Sequence, residues 1–245
     1  RRSSDLRDTA LLKEVLEATG KRVSAELANQ PDVAAGIEQV LGTTWLQLGD
    51  IEQARKYAND AYAKRSKLHR GPNADLAGDL GLLTNVAWRQ GEFAAAESLG
   101  RAALDMRRKL AKGPDAATAG ALTDLGSILL QVGRFDDAEP MLREALTMRQ
   151  AIKKGDDRDI AVQLNALGNV MQYRGRFETA DSLYQLALAM HVRVLGELHP
   201  DVVVDLINLG QLQTNRSRFT AADSMLRHAI TLGEKLYGKD HPTLL

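Results

Sequence analysis

Residues 164–187 read LNALGNVMQYRGRFETADSLYQLA, and two spacings in this stretch decide the fold. Leu164 and Leu167 fall three apart, as neighbours on one side of a helix do, and the helical pattern stops at Gly175. After Phe177 it resumes, with Ala180 and Ala187 seven apart on one helical face. The stretch therefore predicts two amphipathic helices joined by a tight turn. Gly175 sits just past the first helix, where a left-handed backbone costs glycine nothing.

Sliding the chain against itself by 42 residues brings four more copies of this pattern into line without a gap. One column reads Leu41, Leu83, Leu125, Leu167, Leu209, and the turn column reads Gly49, Gly91, Gly133, Gly175, Ser217. Two residues after the turn come Ile51, Phe93, Phe135, Phe177 and Phe219. The alanine columns are Ala54, Ala96, Ala138, Ala180, Ala222 and Ala61, Ala103, Ala145, Ala187, Ala229. A methyl there lets paired helices approach closely. Gly42, Gly126, Gly168 and Gly210, with Thr84 as the odd member, serve the same end in the first helix. Mid-helix glycine costs up to about 1 kcal/mol against alanine, so its recurrence points to packing. The fold class is all-α, a right-handed α-α superhelix. A capping helix is expected within 1–32, with an apolar stripe of Leu12, Val15, Leu16, Val23 and Leu27, because a solenoid exposes the apolar side of its first repeat. The repeats follow at 33–74, 75–116, 117–158, 159–200 and 201–242, and residues 243–245 begin a sixth.

The block pattern resembles the tetratricopeptide repeat family, which has a large apolar residue, then Leu-Gly, Gly-x-Phe/Tyr and two alanines seven apart. The period of 42 rather than 34, and the endings Gly196-Glu197-Leu198-His199-Pro200-Asp201 and Gly238-Lys239-Asp240-His241-Pro242, are similar to kinesin light chains. The run Arg22-Val23-Ser24-Ala25-Glu26-Leu27-Ala28-Asn29-Gln30-Pro31 resembles the lead-in to the repeats of bacterial membrane-anchored serine/threonine kinases. No kinase signature accompanies it. The chain opens Arg1-Arg2-Ser3 without Met and is expected to be a fragment of something longer, the sensor or scaffold part of a signalling protein. Its compartment stays open: cytoplasmic, or extracytoplasmic if it belongs to such a kinase.

Bulk properties exclude several functions. Thirty-two basic residues balance 32 acidic ones, which leaves no field to hold a nucleic acid. No apolar run approaches the roughly 18–20 residues that span a bilayer, and no signal peptide is visible. The absence of cysteine excludes disulfides and zinc–thiolate sites. His199 and His241 recur at one place in successive blocks, a loop-end position before an N1 proline, and have no metal-ligand spacing. His191 and His228 are expected to face solvent. Asp156, Asp157 and Asp159 are expected to serve the positive end of the next helix, and Arg107 and Arg149 to lie on the outer surface of second helices. No catalytic constellation, cofactor or metal is read.

The resemblance implies that first helices line a concave groove. Its columns carry Gln39, Gly81, Thr123, Asn165, Ile207; then Thr43, Asn85, Ser127, Asn169, Gln211; then Gln47, Arg89, Gln131, Tyr173, Asn215. Amides offer both donor and acceptor, which an extended peptide backbone needs. The candidate peptide-binding residues are Asn85, Trp88, Arg89, Ser127, Gln131, Asn165, Asn169, Tyr173, Gln211 and Asn215, for a protein or peptide partner. The alternatives are a merely solvated surface, or a spacer that self-associates end to end through an uncapped C-terminal face.

Overall fold

The structure is a computed structural model that describes residues 2–238, with side chains described from residue 10. Among the described residues it contains helices and no strand. The helices are α1 (Arg2–Glu26), α2 (Pro31–Gln47), α3 (Ile51–Leu68), α4 (Ala74–Arg89), α5 (Phe93–Leu110), α6 (Ala116–Gln131), α7 (Phe135–Ile152), α8 (Arg158–Tyr173), α9 (Phe177–Leu195), α10 (Pro200–Asn215) and α11 (Phe219–Tyr237). The chain divides into two compact units at Ala111/Lys112. The first holds α1 and the hairpins α2–α3 and α4–α5; the second holds α6–α7, α8–α9 and α10–α11. His241 and the start of the sixth block at 243–245 lie outside the described residues.

Four of the five described hairpins begin at a side-chain cap; the first, at Gln30, has none. Asn73, Asp115, Asp157 and His199 share one column, and each accepts a hydrogen bond from a backbone N–H of the first helical turn that follows. Asp157 takes two, from Asp159 and Ile160, and His199 accepts through Nδ1 from Asp201 at 3.1 Å. These groups satisfy donors that a helix start otherwise leaves open. Of the acidic run only Asp157 caps the next helix, since Asp156 pairs with Arg193 and Asp159 with Arg149, and His199 takes its loop-end place before Pro200.

The turn within each hairpin is as uniform. Gly49, Gly91, Gly133 and Gly175 take φ of 79, 75, 77 and 71°, and Ser217 follows them at 56°, the one non-glycine with positive φ among the described residues. The next amide reaches back across the turn, Arg134 N–H to Leu129 C=O at 2.8 Å and Arg218 N–H to Gln213 C=O at 2.8 Å. Carbonyls left open by the helix end are satisfied this way.

Small residues let the two helices of a hairpin touch. All ten members of the alanine columns are buried, none more than 4% exposed. A Cβ placed on Gly126 would lie 2.7 Å from Leu142 Cγ, one on Gly168 2.5 Å from the Tyr184 ring, and one on Gly210 2.7 Å from Leu226. In the second hairpin the column holds Thr84, and the second-helix position aligned with Leu142 and Tyr184 holds Gly100. Bulk moved from one helix to the other, and the sum across the register stayed small.

The N-terminal helix caps less completely than its stripe suggests. Val23 is buried, Leu16 packs on the Trp45–Tyr57 cluster, and Gly20 leaves room for the Tyr57 hydroxyl. Leu12 and Val15 remain 41% and 52% exposed.

Two stability outcomes follow. Gly81, in mid-α4, has open space where a Cβ would go, so Gly81→Ala should gain about 1 kcal/mol of helix propensity. Gly168→Ala gains the same but drives a methyl into Tyr184, costing about 1–3 kcal/mol. Urea midpoints should rise for the first and fall for the second; a rise for both would mean that the hairpin interface is not close-packed at Gly168. At the turns, Gly133→Ala should lower the midpoint by about 1–2 kcal/mol of left-handed strain. Ser217→Gly should raise it by less, since glycine adds about 0.5–1 kcal/mol of chain entropy.

Candidate functional site

Within each unit successive first helices approach one another, α2 with α4 and α6 with α8 with α10. Among the described residues successive second helices do not. First helices set closer than second helices make the first-helix layer the inner side of each unit, the side on which all ten candidate binding residues sit.

The candidates fall into both units. In the first, α4 carries Asn85, half-buried, with Trp88 and Arg89 exposed. In the second, α6 carries Ser127, half-buried, and Gln131, exposed; α8 carries Asn165, Asn169 and Tyr173; α10 carries Gln211 and Asn215, both exposed. Tyr173 is 67% exposed and stacks on Phe135, with ring centroids 5.1 Å apart and planes 11° from parallel. That stack fixes its ring while leaving one face to solvent.

The second unit holds a cavity of 340 Å³ lined by residues of α8, α9 and α10: Asn165, Asn169, Arg158, Val162, Ala166, His191, Asp201, Val204 and Asp205. It brings Asn165 and Asn169 together, but with different duties. Asn169 Oδ1 accepts from the buried Tyr184 hydroxyl at 2.6 Å, and its Nδ2 is a donor on the lining of the cavity. Burial pushes the Tyr184 hydroxyl far up from the usual phenol range, which keeps it a donor.

Asn165 departs from the expectation of an open groove residue. It is 8% exposed, its Nδ2 donates to Asp205 Oδ1, and its Oδ1 accepts from Asn208 Nδ2 at 2.7 Å. Its column points at the neighbouring first helix, so its hydrogen bonds hold α8 to α10.

His191 is a second correction. It is 2% exposed, with Nδ1 2.6 Å from Asp205 Oδ2 and Nε2 3.9 Å from Asp201. Burial disfavours its charged form, yet the hydrogen bond and charge of Asp205, with Asp201 and the Arg158 backbone, outweigh that and raise it above the ordinary imidazole range. The signal was available in the repeat, whose column reads Arg65, Arg107, Arg149, His191. Arg149 shares that fate: its guanidinium is turned inward onto Asp159 at 2.8 Å rather than lying on the outer surface, and Arg107 is half-buried with its guanidinium 3.7 Å from the Cβ position of Gly78. His228 is exposed, as expected.

Among the described residues no group of His, Asp and Glu has the arrangement to hold a metal ion, and no helix is long and apolar enough to cross a membrane. The asparagines, aromatic ring and amides around the cavity can donate, accept and stack; they do not supply an activated nucleophile with its base.

No curated protein sequence matches this chain. Several solved structures share its fold. BtubC (BKLC) from P. vanneervenii is 22% identical with a TM-score of 0.72, over 96% of this chain and 93% of that one. A kinesin-light-chain protein of Podosopora anserina with nearly identical TPR-like repeats is 14% identical with a TM-score of 0.67, over 85% and 98%. The Rap conjugation gene regulator of the plasmid pLS20, in complex with the Phr* peptide, is 19% identical with a TM-score of 0.65, over 81% of this chain and 53% of that one. The Tetratricopeptide repeat family matches residues 80–151 and 159–235, more than half of the chain and in register with the hairpins α4–α5 through α10–α11, and this protein belongs to that family.

Proposed function

We propose that this chain is the peptide- or protein-binding part of a larger signalling protein, and that an extended segment lies along the first-helix side of its second unit. Tetratricopeptide repeats generally mediate protein–protein interaction and are typically non-catalytic. The observation that carries the finer reading is Asn169 on the lining of the 340 Å³ cavity, with exposed Tyr173 one turn further along α8, exposed Gln211 and Asn215 on α10, and Ser127 and Gln131 on α6. Amides that carry both donor and acceptor suit a main chain, and the stacked Tyr173 ring is an exposed anchor held at low entropic cost. In the first unit Asn85, Trp88 and Arg89 offer the same chemistry on α4. The Rap regulator, a structural neighbour, is described with a bound peptide, which is consistent with this use of the fold.

The test is a selection of random peptides on the wild-type protein, followed by affinity measurements on variants. Gln211→Ala, Asn215→Ala and Tyr173→Ala should each weaken binding by about 1–3 kcal/mol, because a bound backbone group or ring loses its partner. Asn169→Ala is a poorer probe, since it also strips an acceptor from the buried Tyr184. Arg101→Ala, Arg143→Ala and Arg227→Ala, on exposed second-helix ion pairs, should leave affinity unchanged. Loss in the arginine variants alone would overturn the assignment of the surface. If no peptide is selected and the protein's size in solution grows with its concentration, the self-associating scaffold replaces the binding module.

A further inference from the structure

Within the units, the contact between a second helix and the first helix that follows it carries a recurring chemical device. On α3, Arg65 is 4% exposed and donates to Asp79 of α4, itself 0% exposed, at 2.5 Å. On α7, Arg149 meets Asp159 of α8 at 2.8 Å. One period later the arginine column becomes His191, and its partner Asp205 stands in the column of Asp79. In α6 the two acid positions hold Ala117 and Ala121. A guanidinium holds its charge at any pH a folded protein meets, whereas an imidazole changes charge near neutrality.

We propose that the joint between α9 and α10 is a proton-operated clasp, tight when His191 is charged and slackened when it is neutral. Asp205 Oδ2 faces His191 Nδ1 and its Oδ1 takes the Asn165 amide, so both oxygens of a 1% exposed carboxylate are committed to this joint. A charged ring supplies the counter-ion that such a carboxylate needs; a neutral ring leaves only a hydrogen bond, and a buried charge without its partner is costly. His191 is on the lining of the 340 Å³ cavity, and its buried Nε2, which has no hydrogen-bond partner, is a donor when the ring is charged and an acceptor when it is neutral.

Other charged groups near the ring are accounted for. From α10 they are Asp201 and Asp205; from α8, Arg158 is bonded to Asp201 at 2.6 Å and Asp159 is held by Arg149. In the loop before α10, Glu197 lies 3.2 Å from His228, and His199 Nδ1 accepts from the Asp201 amide to cap α10. Only a change at His191 itself isolates the effect.

The sign follows from the raised folded-state value. The contribution is fully present below the ordinary histidine value of about 6.5 and is lost as pH rises through the raised one. Asp79 and Asp124, both pushed up to about 6 by burial, obey the same sign in a lower window, between the ordinary 3.8 and about 6. That window lies below the one in which His191 acts.

The experiment follows the histidine ring signals by NMR while amide exchange is read peptide by peptide from pH 6 to 9, corrected for intrinsic exchange. His191 should titrate above the ordinary value. Protection in α10 and α11 should fall with pH, by up to tenfold for each unit of elevation, while α6 and α7 hold theirs. His191→Arg, which installs the residue of the three preceding repeats, should make α10–α11 protection flat across that range. A His191 that titrates at or below the ordinary value overturns the proposal, and the wild-type titration decides this even if the arginine variant fails to fold. So does parallel loss of protection in all helices, or a folded His191→Arg protein with the wild-type pH profile.

Discussion

The approach of two helices within a hairpin is the constraint on which everything else in this structure rests. Helices packed face to face through ordinary side chains sit about 8–10 Å apart, and small residues at the crossing select the near end of that range. Here Gly126 faces Leu142, Gly168 faces Tyr184 and Gly210 faces Leu226, with buried alanines completing the seam. Because the seam is nearly the same in every hairpin, the hairpins are nearly the same object. The reciprocal exchange of Thr84 and Gly100 in the second hairpin shows what is held constant. It is the volume shared by the two helices, not the residue on either one.

Between hairpins the chemistry changes character. Gly and Ala give way to charged pairs, and each joint is pinned near both ends. On the turn side Arg174 reaches back to Asp136 and Glu139, and Arg216 to Glu178 and Asp181. On the loop side are Arg65–Asp79, Arg149–Asp159 and His191–Asp205. The exposed members of this set contribute little, roughly 0–1 kcal/mol apiece. The buried ones set register, because breaking one leaves a charge stranded. Apolar seams make hairpins, and polar joints say where the next hairpin sits.

That division explains what could be read from the sequence. Hairpins were legible because their determinants are local: a period of 42, a left-handed turn residue, a cap at Asn73, Asp115, Asp157 and His199, and small residues seven apart. The joints were not, because a polar residue on a helix looks the same whether it meets water or a buried partner on another repeat. Asn165 and His191 were assigned to solvent for that reason, and Arg149 to an outer surface. Both parts of the His191 misreading were visible in columns, as an arginine line ending in histidine and an aspartate recurring at Asp79 and Asp205, but only a known contact between the columns gives them meaning. The exposed candidates Tyr173, Gln211 and Asn215 lie on first helices, the helices that the resemblance to tetratricopeptide repeats implies line the groove.

The placement of the candidate surface follows from the same division. Its side chains start where the joints end: Asn169 lies one helical turn beyond Asn165, which is consumed in holding Asp205, and both line one cavity. A seam of Gly and Ala can vary only by exchanges that keep its volume, as at Thr84 and Gly100, so it carries little specificity. Joint residues can vary in pairs, as histidine for arginine at 191 shows, and each such change alters the floor of the surface without touching the hairpins on either side. A repeat protein built this way can change what it recognises, or the pH at which it does so, by substitutions at positions such as 165, 191 and 205 while its hairpins stay as they are.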